Sequence, residues 1–266
     1  MIPVSNDLFF PDLAGKTMKM RANLLTCGLV AAMRLGMTAG LAQIPAYTAT
    51  GDTILISAEG VLTERRPSVD AGKARNLRSM DISNRTGTVR DTFEEGRRPR
   101  PLQSSGVFPT NPIPYTRPAG ATLFLHAPNG DYRVWFDPQQ WVPQPPDASN
   151  PKAQMIFAMR EAQALAMVIH EPTEVPLPAL VEATVQNLES IADNVRLVAQ
   201  EFRDVNDRFV LCVRIDGSLQ DQTFTYYNYY YQGEGFTVQF TLYAPREVFL
   251  RRQGTIRSLM NGLVVR

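Results

Sequence analysis

Few side chains in this sequence could carry out chemistry. Its 266 residues include two histidines and two cysteines, which leaves almost no ligands for a zinc, iron–sulfur or haem site. The chain contains no serine-nucleophile elbow, no phosphate-binding glycine-rich loop and no zinc-protease helix motif. His126 and His170 are far apart in the sequence, and each is expected at a turn, a strand end or the surface. The sequence therefore predicts no catalytic residue, no metal ligand and no cofactor.

A short polar run, Asp204-Val205-Asn206-Asp207, could offer oxygen atoms to a calcium ion. Its spacing lacks the central glycine and the closing glutamate of a calcium-binding helix–loop–helix motif. Aspartate and asparagine are also the residues expected in a tight turn between two strands. We therefore interpret this run as a turn.

The most unusual local feature is a group of five tyrosines within residues 226–231. Because successive side chains of a strand point to opposite faces, Tyr226 and Tyr230 would share one face and the other three tyrosines the opposite face. Two hypotheses follow: either other elements cover the strand, or one face is an exposed aromatic ladder that binds a protein partner. Under the second hypothesis, the candidate partner-binding residues are Tyr227, Tyr229 and Tyr231.

The elements that would position these residues can be predicted from residue 120 onwards. Alternating apolar side chains predict a strand at Tyr132–Phe136, which leads through Pro138 to Trp141. Apolar runs at 154–159 and 164–169 predict two buried strands, and helical spacing predicts an amphipathic helix over 180–191. An antiparallel meander and a terminal helix that opens at Pro245 follow. The meander strands are predicted at 195–202, 208–216, 222–231 and 236–244.

This order of elements resembles the superfamily of PsbP, DcrB and the Ran-binding nuclear transport factor. The resemblance covers residues 120–266 and is carried by Asn129 to Pro138 with Trp141, by Phe224 to Tyr227, by Gly235 to Thr241, and by the helix from Pro245 to Leu263. It implies an α+β fold: an α/β/α sandwich in which an antiparallel β-sheet meander is covered by helices, preceded here by an irregular N-terminal arm. Members include photosystem II accessory proteins, periplasmic lipoproteins, secretion-effector chaperones and a GTPase-binding factor, so the resemblance implies a fold and no single function.

Charge is distributed unevenly along the chain, although 27 basic and 26 acidic residues give a net charge of only +1. Residues 60–119 carry 11 basic and 6 acidic side chains, whereas residues 120–266 carry 12 and 16. The basic region shows little apolar periodicity and has six prolines between Pro99 and Pro118. We therefore predict a flexible, proline- and arginine-rich linker over residues 43–119, in which only residues 53–57 could form a short strand. Neither the total charge nor the acidic domain favours nucleic acid as a partner.

Residues 1–42 are typical of an upstream extension followed by a signal-like segment. Lys19 and Arg21 precede an apolar run from Leu24 to Met33, and small residues would allow cleavage before Gln43. The pattern predicts export.

Arg34 interrupts the apolar stretch. A charge at the centre of a membrane helix costs roughly 2.5 to 3.5 kcal/mol on insertion scales, which favours a cleaved signal over a permanent anchor. An uncleaved anchor, which would associate the protein with a membrane, and a buried amphipathic helix are the alternatives.

These features together predict an exported, non-enzymatic accessory or interaction protein of the periplasm or an extracytoplasmic membrane surface. Its sandwich domain would bind a protein partner, which could belong to a membrane-associated complex. Two alternatives stay open. A periplasmic enzyme that acts on a small molecule or binds a metal would need a polar pocket that brings His126 or His170 together with carboxylates. A chaperone-like protein that grips apolar helices would need the first apolar run to stay uncleaved.

Overall fold

The computed structural model describes residues 8–11, 17–20, 43–57, 62–66, 108–146, 151–220 and 222–266. These residues form three sheets, whose strand pairs are all antiparallel, and three helices. The smallest sheet pairs β1 (Leu8–Pro11) with β2 (Thr17–Met20). The two larger sheets pack on each other and enclose the main hydrophobic core. The predicted α+β class is therefore confirmed.

The largest sheet has seven strands: β8 (Trp141–Gln144), β9 (Ala153–Met159), β10 (Leu165–Glu171), β11 (Asp193–Val205), β12 (Arg208–Leu219), β13 (Gln222–Gly233) and β14 (Phe236–Pro245). Their order is β11-β12-β13-β14-β10-β9-β8, so the predicted meander of four strands is confirmed. The β11–β12 turn has left-handed backbone at Asn206 (φ 51°) and Asp207 (φ 65°). Asparagine and aspartate tolerate this conformation, which explains the polar run at this position.

The second sheet has six strands: β3 (Ile44–Thr48), β4 (Thr53–Ile56), β5 (Leu62–Arg66), β6 (Leu123–His126), β7 (Tyr132–Phe136) and β15 (Leu263–Val265). Their order is β15-β7-β6-β3-β4-β5. Its inner face packs on the seven-stranded sheet, and the rings of Phe136 and Phe157 meet across the interface at 5.4 Å. This second sheet is an addition to the single sheet that the sequence predicts.

Three helices complete the layers: α1 (Leu177–Glu189), α2 (Arg246–Arg251) and α3 (Gln253–Met260). Helix α1 covers β11, β12 and β13 on one face of the seven-stranded sheet. On the opposite side, α2 packs against β13 and β14, and α3 packs against β7. The predicted terminal helix is thus two helices, because Arg252 (φ −109°, ψ 19°) leaves the helical conformation. Helices cover both sides of the large sheet, as the predicted sandwich requires.

The prediction of an irregular arm and linker is corrected over residues 43–57 and 62–66. Strands β3, β4 and β5 pair in sequence, and β3 also pairs with β6. The expected short strand at 53–57 is confirmed as β4. The remaining pairing escapes local reasoning because β3 and β4 are only five and four residues long, and their apolar side is buried by elements that lie far away in the sequence. The buried core residues of β3 and β4 are Ala46, Ile54 and Ile56.

The proline-rich segment at residues 108–119 is also held against the domain, alongside the end of β11. The N–H of Phe202 donates to the carbonyl of Pro109, and the N–H of Asn111 donates to the carbonyl of Phe202, both at 2.8 Å. In the same way, the N–H of Tyr115 donates to the carbonyl of Asp204 at 2.8 Å, and the N–H of Asn206 donates to the carbonyl of Tyr115 at 2.9 Å. A proline-rich segment can pair with an edge strand because prolines are tolerated where no N–H is needed. The domain therefore begins before the predicted boundary at residue 120.

Two sequence predictions fall on residues that the structure does not describe. The signal-like apolar run from Leu24 to Met33 and the linker residues 67–107 lie outside the described residues. Within the described ranges, no helix is both long and apolar enough to cross a membrane.

A chain shortened to residues 120–266 should be much less stable than a chain that begins at Gln43. The shorter chain lacks β3 and β4, so apolar surface of β6 and the core becomes exposed, and the edge of β11 loses its cover. Thermal unfolding of both purified chains measures the difference. We expect a cooperative transition only for the longer chain, and equal melting temperatures would contradict the placement of β3 and β4 in the core.

Candidate interaction site

The structure buries both faces of the tyrosine-rich strand β13. Tyr227 and Tyr229 are 0% exposed and lie in the core between the two sheets, where the half-buried Tyr231 also packs. Tyr226 and Tyr230 belong to the second buried cluster, under α1. The hypothesis of an exposed aromatic ladder is therefore corrected, because the six-stranded sheet and α2 cover the face that carries Tyr227, Tyr229 and Tyr231. The alternative of a covered strand applies.

Tyr227 and Tyr229 hold a buried arginine. The Arg203 side chain is 0% exposed, and its Nε donates to Glu201 Oε1 at 2.6 Å. Its Nη1 donates to the hydroxyls of Tyr227 and Tyr229, and the ring of Tyr115 lies 5.1 Å from its guanidinium carbon. Burial raises the pKa of Tyr227 well above its ordinary value, so this hydroxyl stays protonated. The cluster is a structural anchor for the proline-rich segment.

Tyr227→Phe should lower the free energy of unfolding by about 1 to 3 kcal/mol, because the buried guanidinium loses an acceptor. Tyr227→Ser should lower it by about 3 to 5 kcal/mol, because this change also leaves a cavity in the core. Urea denaturation measures both values. As a control, Phe209→Ser at a 62% exposed position should change stability by less than about 0.5 kcal/mol. A Tyr227→Ser protein of unchanged stability would refute the burial of this face.

His170 forms a histidine–carboxylate pair between the two large sheets. Its Nε2 lies 2.9 Å from Asp131 Oδ2, and its side chain is only 8% exposed. The ring is stacked between Tyr132 and Phe236, at centroid distances of 6.2 and 5.5 Å. The pair joins β10 to the turn before β7. It therefore couples the two sheets.

Two clefts of the domain lie elsewhere, on both sides of Arg252. Their cavity volumes are about 340 and 450 Å³, and their walls include Glu161 in the first and Asp137 with Trp141 in the second. Neither cleft contains His126 or His170. Among the residues that the structure describes, no three histidine, cysteine or carboxylate side chains are grouped so that they could hold a metal ion. Neither of these two clefts brings a histidine together with carboxylates, as the enzyme alternative needs.

The polar turn between β11 and β12 has a positioning role. Asn206 Oδ1 accepts the backbone N–H of Arg117 at 2.8 Å. Its Nδ2 donates to the carbonyls of Asn261 and Leu263 at 2.9 and 2.7 Å. One side chain thereby fixes the proline-rich segment and the start of β15 relative to each other.

The outer face of the six-stranded sheet carries the most distinctive group of exposed or half-buried charges. Strand register places Trp135, Phe124 and Tyr47 in one row across β7, β6 and β3. Val264, Arg133 and His126 form the neighbouring row across β15, β7 and β6. We call this surface the arginine–aromatic face and define it by Tyr47, Arg117, Phe124, His126, Arg133, Trp135 and Arg266.

Guanidinium groups cover the aromatic rings of this face. The Cζ atom of Arg117 lies 4.1 Å from the Trp135 ring centre, and that of Arg133 lies 5.7 Å from Trp135 and 5.5 Å from Phe124. Trp135 and Phe124 are only 5% and 6% exposed, because they also pack on each other, with ring centres 4.4 Å apart. Each such cation–π contact contributes about 0.5 to 1 kcal/mol at an exposed site, enough to orient a side chain but not to hold the fold together.

The charged side chains of this face are all basic. Within the described part of the chain, Arg117, Arg133 and Arg266 form no ion pair with a carboxylate. Burial, followed by repulsion from Arg117 and Arg266, lowers the pKa of Arg133. Burial, followed by repulsion from Arg133 and Arg266, lowers the pKa of His126. The face is therefore a cluster of cations, two of them held over aromatic rings, that have no ion-paired carboxylate among the described residues.

Sequence reasoning did not identify this face. Alternation places Arg133 and Trp135 on the side of β7 that is opposite to the core, and that signal is present in the sequence. Their partners Tyr47, Arg117 and Arg266 come from segments that only the tertiary fold brings together.

The pKa of His126 should lie below its ordinary value of 6.5 and should rise in an Arg133→Gln variant. In this variant the pKa should return only part of the way to its ordinary value, because burial is the larger cause of the shift and persists in the variant. Titration of the ring proton by NMR measures both values. Because the folded protein holds this histidine neutral, its contribution to stability is present above pH 6.5 and is lost as the pH falls towards the lowered value. An identical pKa in both proteins would refute the charge coupling.

No model of a known protein family matches the chain, and no curated protein matches its sequence. Several solved structures are similar to it. The solution structure of cyanobacterial PsbP (CyanoP) from Synechocystis sp. PCC 6803 shares 13% identity at a TM-score of 0.40, and covers 54% of this chain and 91% of that one.

Two further structures are similar over about half of this chain and most of their own length. PA94, a protein of unknown function from Pseudomonas aeruginosa, shares 13% identity at a TM-score of 0.37, and covers 48% of this chain and 98% of that one. LpqN, involved in cell envelope biogenesis of Mycobacterium tuberculosis, shares 9% identity at a TM-score of 0.38, with coverages of 53% and 88%. A PsbP structure is thus among those similar to this chain, as the sequence resemblance predicts. At these identities and TM-scores the similarity carries no argument about family or function.

Proposed function

We propose that this protein is an exported, non-enzymatic accessory protein whose sandwich domain binds a protein partner through the arginine–aromatic face. One observation carries the proposal: Arg117 and Arg133 are stacked on aromatic rings and, with Arg266, have no acidic partner among the described residues. Arginine and aromatic side chains are enriched at protein interfaces, where they supply much of the binding energy.

A protein partner suits this surface better than a small molecule does. The face is the outer side of a sheet, whereas small ligands are bound in concave pockets that bury most of their surface. The two clefts lie at Arg252 and contain none of the residues that define the arginine–aromatic face. The arrangement therefore favours contact with another surface.

An anionic membrane would attract the same arginines, but with little strength. Each arginine near such a surface contributes about 1 kcal/mol. Three of them give about 3 kcal/mol, less than the roughly 4 kcal/mol that corresponds to millimolar binding. A membrane-associated complex is compatible with the proposal, and the membrane itself is the weaker candidate for the binding partner.

The proposal of export rests on the signal-like segment. Cleavage before Gln43 would leave a mature chain that begins one residue before β3. All five residues of this strand would then stay in the six-stranded sheet. Both larger sheets would then stay complete after processing, whereas β1 and β2 would be removed.

The enzyme and chaperone alternatives have no supporting contact among the described residues. The histidine–carboxylate pair of His170 is packed between sheets and outside both clefts. The exposed large apolar side chains of the described ranges, Val198, Phe209 and Leu250, belong to three different elements and do not outline a groove for an apolar helix.

Partner capture from the native host should depend on Arg133. We expect an affinity-tagged Arg133→Gln protein to recover at least about tenfold less of the partner than the wild type, which corresponds to a loss of about 1.4 kcal/mol. Arg208→Gln is the matched control, because Arg208 is exposed at the start of β12, in the other large sheet, and is not one of the residues that define the face. Quantitative mass spectrometry after crosslinking measures the recovery, and melting temperatures confirm that both variants are folded. Undiminished capture by a folded Arg133→Gln protein would overturn the proposal.

A further inference from the structure

The arginines of the arginine–aromatic face are oriented as well as charged. A guanidinium stacked on an indole uses its flat side for the ring, which leaves the N–H groups at its edge for hydrogen bonds. Arg117 is stacked in this way at 4.1 Å from Trp135. Its backbone is held by Asn206, whose other contacts fix β15. The planar fork of Arg117 is thus set in place before any ligand arrives.

The guanidinium groups of Arg117 and Arg133 lie over the same aromatic ring, that of Trp135. The Cζ atoms of Arg117 and Arg133 lie 4.1 and 5.7 Å from the Trp135 ring centre. Carboxylates match the fork geometry of guanidinium groups through two parallel hydrogen bonds. In an extended chain, side chains two residues apart point the same way and are separated by about 7 Å, so two acids of one segment could reach both forks.

We infer that the arginine–aromatic face recognises an acidic extended segment of a protein partner, in which two carboxylates contact Arg117 and Arg133. The inference rests on the proposed function and specifies the chemistry of the partner. Charge complementarity supports it, because the bound carboxylates would neutralise cations that have no acidic counterpart among the described residues.

The side chains that face this site from neighbouring elements agree with an acidic ligand. His126 from β6 and Arg266 after β15 add positive or titratable groups, and Tyr47 from β3 adds a hydroxyl. The nearest described carboxylate of the β6–β7 turn, Asp131, is paired with His170 on the other side of the sheet. None of the residues that define the arginine–aromatic face carries an acidic side chain.

The test uses the full chain and a fluorescein-labelled decapeptide in which glutamate alternates with glycine. Fluorescence anisotropy at about 50 mM salt, where screening is weak, should show saturable binding. A peptide with glutamine in place of glutamate should not bind. We expect binding of the glutamate peptide to weaken at least about tenfold for Arg117→Gln and for Arg133→Gln, as for the loss of a charged hydrogen-bonding partner.

Two variants separate fork recognition from simple charge attraction. Arg117→Lys keeps the charge but loses the planar fork, and should weaken binding at least about threefold. Arg208→Gln removes an arginine elsewhere on the domain and should leave binding unchanged. Equal binding of the glutamine peptide, or equal loss in Arg208→Gln, would overturn the inference.

A measurement on the wild-type chain tests the same site and does not depend on whether the variants fold. Because a carboxylate beside His126 favours its protonated form, saturating glutamate peptide should raise the pKa of His126, followed by NMR. An unchanged pKa would count against binding at this face. A parallel experiment uses vesicles of phosphatidylcholine with phosphatidylserine. If the protein binds these vesicles through Arg117 and Arg133 but does not bind the peptide, the face is a membrane site and the inference is wrong.

The two proposals can fail separately. If the host partner is still captured in an Arg133-dependent way but the glutamate peptide does not bind, the acidic-segment inference is wrong and the proposed function stands. If capture does not depend on Arg133, the proposed function itself fails.

Discussion

The seven-stranded sheet is apolar on both faces, and the remaining elements are arranged to cover it. Strand β13 presents Tyr227 and Tyr229 to one side and Tyr226 and Tyr230 to the other, and these four side chains are almost fully buried. Exposed, they would leave a large apolar surface in water. Helix α1, at 13 residues about 20 Å long, covers part of one face. The other face is covered by α2, α3 and a complete second sheet.

Buried charges tie these covering layers to the sheet. Arg214 and Asp216 on β12 are 4% and 3% exposed and are paired at 3.1 Å. Asp216 also accepts the Thr225 hydroxyl and lies 3.4 Å from Nε of Arg246, at the start of α2. Breaking such a pair by removing one partner typically costs about 3 to 5 kcal/mol, because it leaves an uncompensated charge. These interactions fix where α2 begins, and the Arg203 cluster fixes the proline-rich segment in the same way.

The arginine–aromatic face follows from this layered arrangement. The inner side of the six-stranded sheet is used to cover the larger sheet, so its outer side is where distinctive chemistry can meet a partner. Arg117 reaches that side because the proline-rich segment is pinned to β11 and to Asn206. The contacts that hold the proline-rich segment on the domain therefore also place the guanidinium of Arg117 over Trp135.

The sequence by itself determined the elements whose signal is local. Alternation and turn residues predicted β7, β9, β10 and the meander within a few residues, and helical spacing predicted α1 and the terminal helical region. Tertiary structure alone decided which faces are covered. Alternation separates Tyr227 from Tyr226 but cannot tell which side another layer will bury, and both proved to be core. The strands β3 and β4 join this sheet through the pairing of β3 with β6, and Arg117 meets Trp135 because its segment is held by β11 and Asn206. Such contacts join segments far apart in the chain, and no local pattern encodes a pairing whose energy comes from surfaces that form elsewhere.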